Sequence, residues 1–305
     1  MRRLGSANGK KKHFKSRIKQ RTMSELVWLI TGCSSGFGEQ FVHSVLARGD
    51  KVIATARKID KIQHLQQAGA TILQLDITDK QQQIRDTIAA AIKVHGRIDV
   101  LVNNAAYIAI GTWEDLEYED FLAEFDTNVF GTIKVTRALL PHFRERRSGT
   151  MVFIGSLSGW VGHAGCGAYA GSKFALEGLV ESLSRETAHL GFKTLLIEPG
   201  RFRTKLLSSG NMKSVASAIP DYQEFSQNLL NGLSQSDQTQ PGDPVKLAEI
   251  ILDLVRQEGV AASRNVPLRI PLGVDCFEEL KAKCEETLEL LKEWEATIKS
   301  TNHDD

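Results

Sequence analysis

The chain has 305 residues, with 38 Lys+Arg against 37 Asp+Glu, 42% apolar and 25% charged. These are ordinary globular values and exclude a disordered chain, a collagen-like fibre and a disulfide scaffold. No apolar run reaches the ~18 residues of a membrane span, and the near-zero net charge hides an asymmetry: residues 1–22 hold nine of the basic residues and no acid, so the rest is acidic and no nucleic-acid binder by bulk charge.

Residues 1–22 read as a solvated, disordered extension or as sequence upstream of a start at Met23. An address or a polyanion-binding arm is the alternative, and the segment lacks the apolar core of a secretory signal. From Ser24 onward, short apolar runs alternate with helix-length amphipathic segments. Leu26–Thr31, Val52–Thr55, Thr71–Leu75, Ile98–Val102, Met151–Ile154 and Thr194–Ile197 predict strands, nearly continuous in apolar character as parallel strands buried on both faces should be. Helical patterns lie between and after them, at about 36–48, 59–68, 80–95, 114–147 (two helices), 168–190 and 244–257. Such alternation predicts an α/β chain with a mostly parallel, doubly wound sheet of Rossmann type and helices on both faces. No stretch reads as a linker, so 23–305 is taken as a single domain.

Two stretches stand apart. Residues 205–240 are rich in Ser, Gln, Asn and Gly, and so weak a pattern over that length predicts a mobile substrate lid rather than core. Residues 275–299 place Phe277, Leu280, Cys284, Leu291, Trp294 and Ile298 at three- and four-residue spacing, one apolar stripe on a helix expected to dock on its own domain, with pairing to a second subunit as the alternative. The four cysteines (Cys33, Cys166, Cys276, Cys284) are scattered, which fits free thiols in a reducing, cytoplasmic compartment; no metal-ligand spacing is present and no metal is expected.

The first strand runs into Thr31-Gly32-Cys33-Ser34-Ser35-Gly36-Phe37-Gly38 and then a helix. Glycines suit a sharp turn where backbone must approach a pyrophosphate, and the helix N-terminus offers unpaired N–H groups to the anion. Position after the first strand and before a helix is the context a dinucleotide site requires. The second predicted strand ends at Arg57, backed by Lys58; an acid there would favour NAD, whereas a cation pairs with a 2′-phosphate and favours NADP(H).

The TGxxxGxG spacing resembles the short-chain dehydrogenase/reductase family, and further blocks match it over nearly all of residues 24–275. They are Asn103-Asn104-Ala105-Ala106, Asn128 in Thr127-Asn128-Val129, Ser156 followed thirteen residues later by Tyr169-x-x-x-Lys173, and Pro199-Gly200 with Thr204 beyond. The resemblance implies that Tyr169 exchanges a proton with the substrate oxygen. Lys173 would lower the Tyr169 pKa and hold the nicotinamide ribose, Ser156 would polarise the carbonyl, and Asn128 would hold a water linking Lys173 to solvent. Thr31, Gly32, Ser34, Ser35, Gly36, Phe37, Gly38, Arg57, Asp76, Asn104, Pro199, Phe202 and Thr204 complete the expected cofactor set. Asp76 reads equally as a cap for the next helix. Two departures, Ala106 for the usual glycine and Gly155 for a frequent serine, remove no reacting group.

The opening Val27–Gly38 and Ala54–Arg57 look similar to the branch with hydroxysteroid and retinol dehydrogenases. Ile108–Trp113, Trp160–Cys166 and the 205–240 lid are the expected walls of the substrate pocket, with Trp160, Val161, Phe202, Tyr222 and Phe225 as apolar candidates, implying a hydrophobic ketone, aldehyde or alcohol. His163 and Cys166 show no base–orienter arrangement for nucleophilic catalysis. The expected activity is NADP(H)-linked hydride transfer; the rival is a non-catalytic dinucleotide-sensing regulator on the same fold. A homodimer or homotetramer through 114–147 and 168–190 is typical of the family.

Overall fold

The structure, a computed structural model, describes residues 24–208 and 211–303; the basic segment 1–22 lies outside the described residues, as do Ser209 and Gly210 within 205–240. Nine strands are formed among them: β1 (Val27–Ile30), β2 (Lys51–Ala56), β3 (Thr71–Gln74), β4 (Val100–Asn103), β5 (Ile108–Ile110), β6 (Thr150–Ile154), β7 (Lys193–Pro199), β8 (Met212–Ser214) and β9 (Arg269–Leu272). The helices are α1 (Gly36–Ala47), α2 (Gln63–Gln67), α3 (Gln81–His95), α4 (Tyr118–Phe125), α5 (Thr132–Arg146), α6 (Gly167–Thr187), α7 (Pro220–Ser236), α8 (Pro244–Arg256), α9 (Val274–Glu293) and α10 (Glu295–Lys299).

Seven strands form one sheet in the order β3-β2-β1-β4-β6-β7-β9, every neighbouring pair parallel. Parallel strands alternate their side chains between two helical layers. Accordingly Trp28 and Ile30 of β1 pack into one core with α1 and α8, while Val27 and Leu29 pack into the other with α3, α5 and α6. This is the doubly wound sheet expected. The six strands predicted are all present, and β9 adds a seventh at the edge.

The chain winds outward from β1 to β3, then returns to lay β4 on the other side of β1. The reversal between β1 and β4 leaves a crevice above their carboxyl ends, where open α/β sheets hold ligands. The predicted 114–147 pair appears as α4 and α5 joined by a π-helical turn at Asp126–Gly131. A second small sheet, β5 paired parallel to β8, was not expected; it lies over the same end of the molecule. The 205–240 segment contributes β8 and the whole of α7, so much of it is regular structure. The 275–299 stripe forms helix as predicted, but it does not dock along its own domain: only its first turns touch the body, and every residue from Lys281 to Lys299 is exposed.

Candidate active site

A cleft of about 510 Å³ opens above the β1/β4 reversal, within the range of small-molecule sites. Its floor is bare backbone. Gly32 has φ +71° and a Cβ there would lie 2.7 Å from Ala105 Cα; a Cβ on Gly38 would lie 2.3 Å from Gly32 O. Neither position admits a side chain, so the turn stays flat and open to an approaching anion. Ser35 precedes α1 without capping it; its hydroxyl instead accepts from Asn211 Nδ2 at 3.2 Å. The first-turn amides of α1 therefore remain unspent by the cap.

Gly32, Ser34, Ser35, Gly36, Phe37 and Asn104 line the cleft as expected. Thr31 does not: it is buried under the turn, where its hydroxyl donates to Val102 O and accepts the N–H groups of Asn104 and Ala105 at 3.0 and 3.1 Å. Gly38 likewise serves close packing rather than lining. Asn104 fastens the turn from the side, its Nδ2 donating to Thr31 O and Gly32 O at 2.9 and 3.1 Å.

At one end the cleft is walled by Arg57, Lys58 and Lys61 together with Asp76 and Thr78. Asp76 caps no helix. Its Oδ1 accepts from Thr78 N and Oγ1 at 3.0 and 2.7 Å, closing a local turn ahead of α3.

At the other end stand Ser156, Tyr169, Lys173, Pro199, Gly200 and Thr204. Tyr169 and Lys173 lie one turn apart on α6 and share a face, the Lys173 Nζ sitting 5.6 Å from the phenol ring centroid. Lys173 is 2% exposed and donates to Ile154 O at 2.8 Å, which aims it along the end of β6. Ser156 follows β6, so strand and helix bring the hydroxyl and the phenol together. Burial pushes the Tyr169 phenol well above its ordinary value; the Ser156 hydroxyl beside it pulls down and the Glu124 carboxyl pushes up. The sequence-based expectation of a lowered phenol is thus not met by the protein's own groups, because removing phenolate from water outweighs the pull of the Ser156 hydroxyl. Lys173 is itself pushed down to about 8 by burial, against the opposing charges of Glu124 and Glu177.

Asn128 sits in the π-helical turn, 1% exposed and off the cleft wall. It pairs with the backbone of Tyr107 in both directions, accepting N–H at 3.1 Å and donating to O at 3.0 Å, and its Nδ2 also reaches Glu124 Oε1 and Ser172 Oγ. Its amide is heavily engaged by protein groups. Glu124 was missed by sequence reading: it lies one turn before Asn128, fully buried, and accepts from Ala109 N at 2.7 Å. Burial lifts it to about 8, with the Ala109 N–H, Lys173 and Asn128 all pulling down.

A second unforeseen group lies beneath Ser156. Glu177, one further turn along α6, shares the Arg269 guanidinium with Glu198 of β7, each at 2.9 Å, and Arg269 stacks 5.0 Å from the Trp160 ring. Burial raises Glu177 to about 7. Trp160 is therefore part of a strut and not pocket lining. The Phe202 ring also turns away from the cleft, packing edge-on against Phe37 at 5.4 Å, so it does not give the apolar substrate lining expected of it; the cofactor role implied for this stretch belongs to backbone groups and not to the ring. Tyr222 is spent on Glu114 at 2.8 Å. The apolar surface around Tyr169 comes from Ile108 and Ile110 of the expected Ile108–Trp113 stretch and from Leu206, Met212, Leu229 and Leu233 of the expected 205–240 segment, roofed by α7. Cys166 is pushed up by burial, and His163 is paired with Glu279 at 2.7 Å, so this pair offers no nucleophile.

The short chain dehydrogenase family matches residues 26–214. Oxidoreductase BOA17 of Botryotinia fuckeliana is 33% identical over 256 residues, covering 83% of this chain and 90% of that protein. Human retinol dehydrogenase 8 is 34% identical over 212 residues, 66% of this chain and 68% of that one. A short-chain dehydrogenase from Streptomyces avermitilis has a crystal structure with TM-score 0.81 and 38% identity, covering 92% of this chain and 99% of that one. ElxO with NADP bound superposes with TM-score 0.64 at 28% identity, covering 81% and 98%. With that family matched across the cradle, the cleft and the Ser156–Tyr169–Lys173 end, this chain belongs to the short-chain dehydrogenase/reductase family of oxidoreductases.

Proposed function

We propose that the chain is an NADP(H)-dependent oxidoreductase that interconverts the carbonyl and alcohol forms of a hydrophobic small molecule, with Tyr169 as the proton donor in reduction and acceptor in oxidation. The supporting observation is one cleft shared by Ser156, Tyr169 and Lys173 at one end, the side-chain-free turn in the middle, and Arg57 with Lys58 and Lys61 at the other. The residues fit a phosphorylated dinucleotide: bare amides for the pyrophosphate, cations for a 2′-phosphate, and Lys173 and Thr204 within the same wall for the nicotinamide half.

When bound, the nicotinamide supplies the hydride and, in its oxidised form, a positive charge beside the phenol. Ser156 donates its hydroxyl to the substrate oxygen, fixing the carbonyl within reach of Tyr169. Tyr169 passes its proton to that oxygen as negative charge develops there. Lys173, held by Ile154 O, keeps positive charge next to the phenol and offers its remaining N–H donors to ribose hydroxyls. The roof of Leu229 and Leu233 excludes water and selects an apolar substrate. The free cysteines agree with a cytoplasmic setting.

The test is Tyr169→Phe, which keeps ring and packing and deletes the proton. Turnover of a ketone or aldehyde panel should fall by roughly 10³-fold or more, while the Kd for NADPH stays within about threefold. More than a tenth of wild-type turnover would contradict the assignment.

A further inference from the structure

Helix α9 begins as part of the body and then leaves it. Cys276 is buried, with its thiol donating to Glu198 O at 3.2 Å. Asp275 accepts the Arg201 N–H at 2.6 Å, and Glu279 pairs with both His163 and the Arg201 side chain. From Lys281 through α10 to Lys299 nothing in the described residues covers the helix. Yet its sequence is not that of a solvated rod. Leu288 is 65% exposed, Leu291 48%, Trp294 54% and Ile298 45%, and each would sit in water in a lone copy.

The spacing identifies the kind of cover. Phe277, Leu280, Cys284, Thr287, Leu291, Trp294 and Ile298 follow one another at strictly alternating intervals of three and four. That narrow repeat is the seam of a helix that packs against another helix, knobs into holes. A lipid surface fits poorly, because the polar faces of 274–299 carry twice as many Asp+Glu as Lys and no Arg, whereas interfacial helices are basic.

We propose that α9 and α10 form an antiparallel seam with the same segment of a second copy of this chain. The flanking residues choose the direction. In a parallel pair Leu290 would face Glu295 and Lys283 would face Leu288, leaving charges against apolar side chains. In an antiparallel pair centred on Glu289, Lys281 faces Glu295 of the second copy, Leu288 meets Leu288 and Leu290 meets Leu290. The seam itself then sets Leu280 on Ile298, Cys284 on Trp294 and Thr287 on Leu291. Counted along α9 and past the turn at Trp294 into α10, a contact up to about 33 Å long buries on the order of 800 Å² per copy, the size of a specific interface.

The experiment is light scattering and sedimentation of the full chain at micromolar concentration. Wild type is at least dimeric, and Leu291→Asp halves the mass of its assembly, with circular dichroism and NADPH binding unchanged. Lys281→Glu and Glu295→Lys each weaken association roughly tenfold by setting like charges across the seam, and the double variant K281E/E295K recovers to within about threefold of wild type. Lys281 and Glu295 also pair within their own helix, with Glu285 and Lys299. The double variant carries both of those losses, so its recovery can come only from across the seam. A monomeric wild type, including one captured instead by phosphatidylcholine/phosphatidylserine vesicles, overturns the proposal, as does an L291D assembly of unchanged mass or a double variant no better than the singles.

Discussion

Arg57 and Glu124 show how differently two site residues announce themselves. Arg57 stands directly after a recognisable apolar strand, and its charge alone argues for a phosphate; the fold then places it on the cleft wall with Lys58 and Lys61. Arg57→Asp should lower kcat/KM for NADPH by roughly 100-fold, the loss of a charge-assisted contact plus repulsion, and raise it for NADH. An unchanged ratio of the two would remove Arg57 from the site. Glu124 has no such signal. It is one acid in the amphipathic segment Tyr118–Phe125, and only the tertiary fold shows that it is fully buried against Ala109 and Asn128. Thr31 fails in the opposite sense: a motif residue whose hydroxyl is consumed by backbone of β4 and of the two residues just after it, which no spacing rule reveals.

Helix α6 carries the reactive end on one face, with Tyr169 and Lys173 a turn apart, and this was readable because the 3.6-residue repeat fixes who shares a face; Glu177, a turn further on, gave no sign of its burial. The strand β9 was not readable. Arg-Ile-Pro-Leu is short, sits at the sheet edge and is only partly buried, so it lacks the continuous apolar run of its neighbours. It nevertheless supplies Arg269, which joins α6 to β7. Similarly, β5 and β8 have three residues each, too few for a period. The roof helix α7 rests on the loop ahead of α6 at one tight point: Gly165 has φ +79°, and a Cβ there would lie 2.2 Å from Leu229 Cδ2. Gly165→Ala should displace α7 and raise KM for the apolar substrate about tenfold, from left-handed strain and lost roof contact on the order of 1–2 kcal/mol. The Kd for NADPH should stay unchanged, because the cradle lies elsewhere; loss of cofactor binding would show that α7 supports the whole cleft.

Across the whole molecule, the site concentrates buried acids around one amine. Burial holds Glu124 at about 8 and Glu177 at about 7. A carboxyl whose folded pKa is raised keeps its proton while the unfolded chain has lost it, so stability is fullest below about pH 4.5 and drains away as pH rises through 7 and 8. Lys173, pushed down to about 8, acts in a separate window: stability recovers between about 8 and 10.5, where only the unfolded chain keeps that proton. Denaturant melts should therefore show a decline between pH 5.5 and 8 that Glu124→Gln reduces by on the order of 3 kcal/mol; parallel profiles for the two proteins would show that Glu124 titrates normally. The functional claim at this scale is that cradle, cations and phenol serve a single transfer. It is tested most directly by incubating the protein with NADPH deuterated at nicotinamide C4, in each face in turn, with a panel of hydrophobic ketones and aldehydes, and reading the products by mass spectrometry. The account predicts carbon-bound deuterium in at least one alcohol product, from one face only, and its loss in Tyr169→Phe. Tight NADPH binding with no label in any product would contradict it and favour a dinucleotide sensor.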